Sequence, residues 1–209
     1  MENEKNSLDA AAATTLDLGQ YTEAEADARQ SMSVGPDSGI AQEVLAAALN
    51  AQGKTQEALE VYQQMASVGG DQARNLLPYA LLLLKAGQWA PALAAYNKAQ
   101  PFANGTLISA NNHFARTVPQ PKDLEAAIHI ALGLTYGSEA SWGGHSQDDK
   151  AMSEHKQALA LEPNSALANY YYGYALQRMG RRAEAQAAFK KAATLGSNDV
   201  KATAEREIR

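Results

Sequence analysis

The segment LLPYALLLLKAGQWAPALAAY, residues 76–96, decides the fold. Leu76, Tyr79, Ala80 and Leu83 stand at i, i+3, i+4 and i+7, one face of an α-helix. Gly87 follows, the residue type that takes the tight turn ending a helix. Trp89, Ala92, Leu93, Tyr96 and Ala99 then resume the helical spacing. The segment therefore reads as two helices joined by a glycine turn. Ala80 and Ala92 are small enough for the helices to cross closely, and Tyr79 and Tyr96 fill the volume beside them.

The same arrangement recurs outward from this hairpin. Gly19, Gly53 and Gly87 are spaced 34 residues apart, and Gly180 heads a segment of the same kind. Ala24, Ala58, Ala92 and Ala185 each follow their glycine by five residues, and Ala28, Tyr62, Tyr96 and Phe189 stand four further on. A fixed period of this length points to stacked helical hairpins rather than one closed core. A further unit starts near Ala126 with Leu132, Gly133, Tyr136, Ala151, His155, Ala158 and Pro163. It is stretched, because Tyr136 and Ala151 are 15 residues apart where Leu83 and Ala92 are 9 apart. The extra residues fall around 141–146, as a looped-out tip or a longer first helix.

Two segments lie outside the period. Residues 107–125 are an irregular linker in which Leu107, Ile108, Phe114 and Val118 predict a short amphipathic helix that stops before Pro119. Asp123 then offers an N-cap for the next long helix. Val200, Ala204 and Ile208 predict a terminal helix over residues 200–209 that covers the last apolar layer. The units expected are thus 5–38, 39–72 and 73–106, then 126–165 with its insertion, 166–199 and the cap.

Composition narrows the function classes. The formal net charge of −5 argues against nucleic acid, which requires a basic stripe. The absence of cysteine rules out disulfides and thiolate chemistry. No apolar run reaches membrane-spanning length, so membrane insertion is not expected. A soluble, cytoplasmic chain is the expectation, or an exported one if an upstream leader has been removed. Charge is uneven: residues 1–40 hold eight acids against Lys5 and Arg29, and residues 166–209 hold eight bases against four acids. This polarity suits head-to-tail self-contact, although ordinary solvated helix faces explain it as well.

These residues resemble the tetratricopeptide repeat. Residues 5–38 carry Leu8, Ala12, Gly19, Tyr21, Ala24 and Pro36, and residues 39–72 carry Leu45, Ala46, Leu49, Gly53, Ala58 and Tyr62. Residues 166–199 carry Tyr172, Gly173, Leu176, Gly180, Ala185, Phe189 and Ala192. The resemblance implies an all-α, right-handed superhelical solenoid of about five hairpins with a C-terminal capping helix. It further implies a non-catalytic scaffold or adaptor that holds a peptide or helix of another protein in its concave groove. In the family's register that groove is lined here by Leu77, Leu81, Lys85, Leu134, Tyr170, Tyr174 and Arg178, apolar and aromatic with flanking cations. Where some members clamp a carboxylate with Lys and Asn, this chain has Asp9 and Ala13, so that clamp is not expected. Two alternatives stand beside the scaffold: a self-assembling, homo-oligomeric module, and a regulatory or substrate-recruiting domain of a larger enzyme.

No phosphate loop, nucleophile elbow or paired-carboxylate motif is present in the sequence, and no cofactor or metal is implied. The insertion alone gathers the residue types of a small site, in Trp142, His145, Ser146, Asp148 and Asp149. It reads more simply as a glycine turn with Asp148 or Asp149 capping the next helix.

Overall fold

Four glycines take the left-handed conformation that their spacing requires: Gly19, Gly53, Gly87 and Gly180, with φ between 74° and 78°. At each, the same hydrogen bonds close the preceding helix. Gly53 N–H donates to the Asn50 carbonyl at 3.0 Å, and Lys54 N–H reaches back to Leu49 at 2.9 Å. The other three turns repeat this double closure, the Schellman arrangement of a glycine-ended helix. The carbonyl of the same following residue opens the next helix: those of Gln20, Lys54, Gln88 and Arg181 accept from Ala24, Ala58, Ala92 and Ala185. One helix ends and its partner begins within three residues.

The computed structural model describes residues 2–35, 39–68, 72–99, 121–143, 145–196 and 198–208. Among these are eleven α-helices and no strand: α1 (Glu2–Asp17), α2 (Tyr21–Val34), α3 (Gly39–Ala51), α4 (Thr55–Val68), α5 (Gln72–Lys85), α6 (Trp89–Ala99), α7 (Pro121–Gly143), α8 (His145–Leu161), α9 (Ala166–Arg178), α10 (Arg182–Leu195) and α11 (Asn198–Ile208). They form two compact units, Met1–Ala92 and Leu93–Arg209. The amphipathic helix expected from Leu107, Ile108, Phe114 and Val118 lies outside the described residues.

In the first unit α1 packs on α2, both pack on α3, and α3 and α4 then α4 and α5 pair in turn. In the second unit α7 pairs with α8, α9 with α10, and α9 also meets α7 and α8. The final helix α11 lies on α10 and α9, as a cap does. The hairpin α7–α8 absorbs the extra residues by lengthening both helices, to 23 and 17 residues, so the insertion is a helical extension rather than a looped-out tip. Its first helix starts at Pro121, where a missing N–H costs nothing. Asp123 therefore sits inside the first turn, favouring the helix through its dipole, instead of preceding it as a cap.

Small residues let paired helices touch. Ala12, Ala46 and Ala80 on first helices, and Ala24, Ala58 and Ala92 on second helices, are wholly buried. In α9 the same role falls to Gly173: a Cβ there would stand 2.9 Å from the Phe189 ring. In α7 it falls to Gly133, where a Cβ would come within 2.7 Å of His155 Nδ1. His155 thus occupies the aromatic position of its unit, stacked at 14° to Tyr171, with its Nδ1 buried and without a hydrogen-bond partner among the described residues.

At Gly53 a side chain is strained by the positive φ, so Gly53→Ala lowers stability by about 1–2 kcal/mol in urea denaturation. Gly39→Ala, in open space at the start of α3, changes it by less than about 0.5 kcal/mol. Burial pushes His155 down from its ordinary 6.5 to about 4. The unfolded chain therefore binds the proton first. The stability held by the neutral imidazole is complete above pH 6.5 and falls as pH drops toward 4, by roughly 3 kcal/mol in all. His155→Phe, matching Phe189 against Gly173, makes stability between pH 6.5 and 4 measurably less pH-dependent than in the wild type.

Candidate functional site

The first helix of each hairpin carries the residues expected to meet a partner, one per turn. On α5 these are Leu77, Leu81 and Lys85. Leu77 is 1% exposed and belongs to the core beneath the surface. Leu81 is half-buried and Lys85 is exposed in the last turn, where the helix dipole favours a cation. Pro78 interrupts the ladder beside them, because its missing N–H withholds a donor from the helix.

In the second unit the strip is aromatic. Leu134 of α7 and Tyr170 of α9 are half-buried and both rest on the core cluster of Ile130, Ala158, Ala168 and Tyr171. Tyr170 is wedged between rings: it meets Tyr171 edge-on with centroids 5.2 Å apart and lies 5.6 Å from Phe189. Burial, then the nearby Glu207 carboxylate, pushes its phenol pKa up, so it is a neutral donor. One turn on, Tyr174 is 42% exposed. Leu134 and Tyr170 thus rest on one core cluster, and Tyr174 stands one turn along α9 from Tyr170.

Arg178, a further turn on, has a different occupation. Its guanidinium donates to the Gly137 carbonyl of α7 and pairs with Asp148 of α8 at 3.2 Å. Arg178 therefore ties α9 to the lengthened parts of α7 and α8, a fork geometry suited to two acceptors at once. Asp148, read from sequence as a helix cap, is the carboxylate of this tie. Nothing local in the sequence marked this tie, because its acceptor on α7 is a backbone carbonyl. The side chains of Trp142, His145 and Ser146 lie outside the described residues.

Other polar contacts within the second unit serve the hairpins. His129 Nδ1 lies 2.6 Å from Glu154, joining α7 to α8. Ser165 caps α9 by accepting from Ala168 N–H at 3.2 Å. Asn169, buried, donates to the carbonyls of Pro163 and Ser165 and holds the connection from α8. Glu162 is pushed up to about 7, first by burial and then by its hydrogen bond to Asp123 at the start of α7. Among the described residues there is no group of three or more His, Asp or Glu arranged to hold a metal ion. None of their helices is long and apolar enough to cross a membrane.

Comparison with known proteins agrees with this architecture. Residues 10–73, from within α1 to the start of α5, match the tetratricopeptide repeat family model. No curated protein matches the chain. A crystal structure of MamA aligns over 93% of this chain and 93% of its own at 17% identity, with a TM-score of 0.50. MamA from Desulfovibrio magneticus RS-1, from residue 41 to its end, aligns over 91% of this chain and 94% of its own at 18% identity, with a TM-score of 0.47. At such identity the likeness to the MamA crystal structure is one of fold.

Proposed function

We propose, for a chain that carries tetratricopeptide repeats, a non-catalytic scaffold that holds a peptide or helix of a partner protein against the first helices of its hairpins. Tyr174 is the observation that carries this reading. It projects from α9 with 42% of its surface exposed, one turn from the half-buried Tyr170, which shares a core cluster with Leu134. A rigid ring gives a partner much contact area for little lost entropy. An extended apolar strip on a helix face is a common seat for a partner's alternate side chains or amphipathic helix. On α5 of the first unit, Leu81 and Lys85 offer a separate apolar and cationic contact. Arg178 contributes indirectly, by setting the position of the lengthened hairpin beside the strip.

The test is capture of interacting proteins by the purified full chain, identified by mass spectrometry and then measured with the purified partner. Tyr174→Ala weakens binding by about 2 kcal/mol, about thirtyfold, while the helical circular dichroism is retained. Lys190→Ala, on the exposed side of α10, leaves affinity unchanged. Undiminished binding by the Tyr174→Ala variant removes the assignment to this strip. If the captured protein is a second copy of the chain, the scaffold is a homo-oligomer built through the same residues.

A further inference from the structure

The first hairpin is fastened to the second by a carboxylate where the next hairpin has a leucine. Glu25 and Leu59 occupy equivalent positions in α2 and α4, 34 residues apart, and both are 6% exposed. Both Glu25 oxygens are engaged. One accepts from Arg29 on the same helix, and the other accepts from Gln52 Nε2 at 2.7 Å and from Lys54 Nζ at 2.8 Å. Gln52 and Lys54 flank Gly53 in the turn of the second hairpin, and Gln52 also donates to the Tyr21 carbonyl at 3.1 Å. Glu57 of α4 stands 3.6 Å from the outer side of Arg29.

Less apolar burial reinforces this grip than holds the next helix. The fully buried apolar side chains of α1 and α2 are Ala12, Ala24 and Ala28, with Leu8, Leu16, Met32 and Val34 only half-buried, whereas α3 alone fully buries Val44, Leu45 and Leu49. Alanine removes little surface from water, so the first hairpin depends on its polar contacts more than its neighbours do. A buried carboxylate favours the docked state only while its donors remain in place. Two of those donors are open to water, the side chains of Lys54 and Arg29 being 40% and 52% exposed.

We propose that α1 and α2 form a leaf that opens from α3 as one unit, more readily than the rest of the first unit unfolds, with Glu25, Gln52 and Lys54 as its catch. Opening uncovers α3, which both helices contact. The leaf thereby controls access to the surface of α3, a conformational device independent of the aromatic strip in the second unit.

Native-state hydrogen exchange on the full chain tests this, using the wild type, Lys54→Met and Lys54→Arg. In the wild type, amides of α2 exchange through a shared opening at least about tenfold more frequent than the opening seen in α3 and α4. Lys54→Met keeps the aliphatic stem, removes the charge and raises α2 exchange by about a further tenfold, leaving α3 and α4 unchanged; Lys54→Arg stays close to the wild type. A single common rate for α2, α3 and α4 in the wild type would overturn the proposal. So would a Lys54→Met effect that is absent or spread equally over all three helices.

Discussion

A glycine held at positive φ at the tips of four hairpins, at Gly19, Gly53, Gly87 and Gly180, is the constraint from which this architecture follows. An L-residue pays steric strain there, whereas glycine does not. With that angle set, the glycine N–H and the next N–H close the last carbonyls of one helix. The next carbonyl then accepts the first bond of its partner. The chain reverses within three residues, and two antiparallel helices are delivered close enough for alanines to meet. The hairpin so formed has one apolar side left over, and it can bury that side only by stacking on a neighbour.

Stacking sets the same demand at every layer, but the chain meets it with different chemistry. In the second unit, rings do most of the work: Tyr170, Tyr171 and Phe189 interlock, and His155 and Phe189 lie against glycines that leave room for them. Polar contacts there orient helices already held by apolar burial. At the first hairpin the balance reverses, with alanines too small to supply much burial and a gripped carboxylate at the position of a leucine. The Asp9–Ser31 hydrogen bond, buried between α1 and α2, continues that polar character inside the leaf. Dynamics follow the chemistry, since contacts open to water are the easier ones to release.

The candidate site shows where a linear reading stops. The periodicity placed Leu134, Tyr170 and Tyr174 on first helices, and Leu134 and Tyr170 rest on one core cluster. It also placed Leu77 and Arg178 on that face, yet the former is in the core and the latter is engaged by α7 and α8. Periodicity reports which way a side chain leaves its helix, to within a fraction of a turn. Whether it then meets water or another helix depends on how far its neighbours extend. The lengthening of α7 and α8 is what brings Gly137 and Asp148 to Arg178, across 41 residues of sequence in the case of Gly137. The grip on Glu25 is similar, because Lys54 reaches it from 29 residues away and nothing local to either residue marks the pairing.

The sequence by itself determined the hairpin, its turn and its repetition, because these are local: a positive φ, a spacing of small and large residues, and a period all lie within one stretch of chain. It also determined which helix of each pair is first and that small residues sit where helices cross. Only the tertiary structure decided that the insertion continues two helices, that Leu77 is covered, that Arg178 is a tie and that Glu25 joins two hairpins. Each of those depends on an atom supplied from a distant part of the chain, and its presence at the right distance is a property of the stack and not of the repeat.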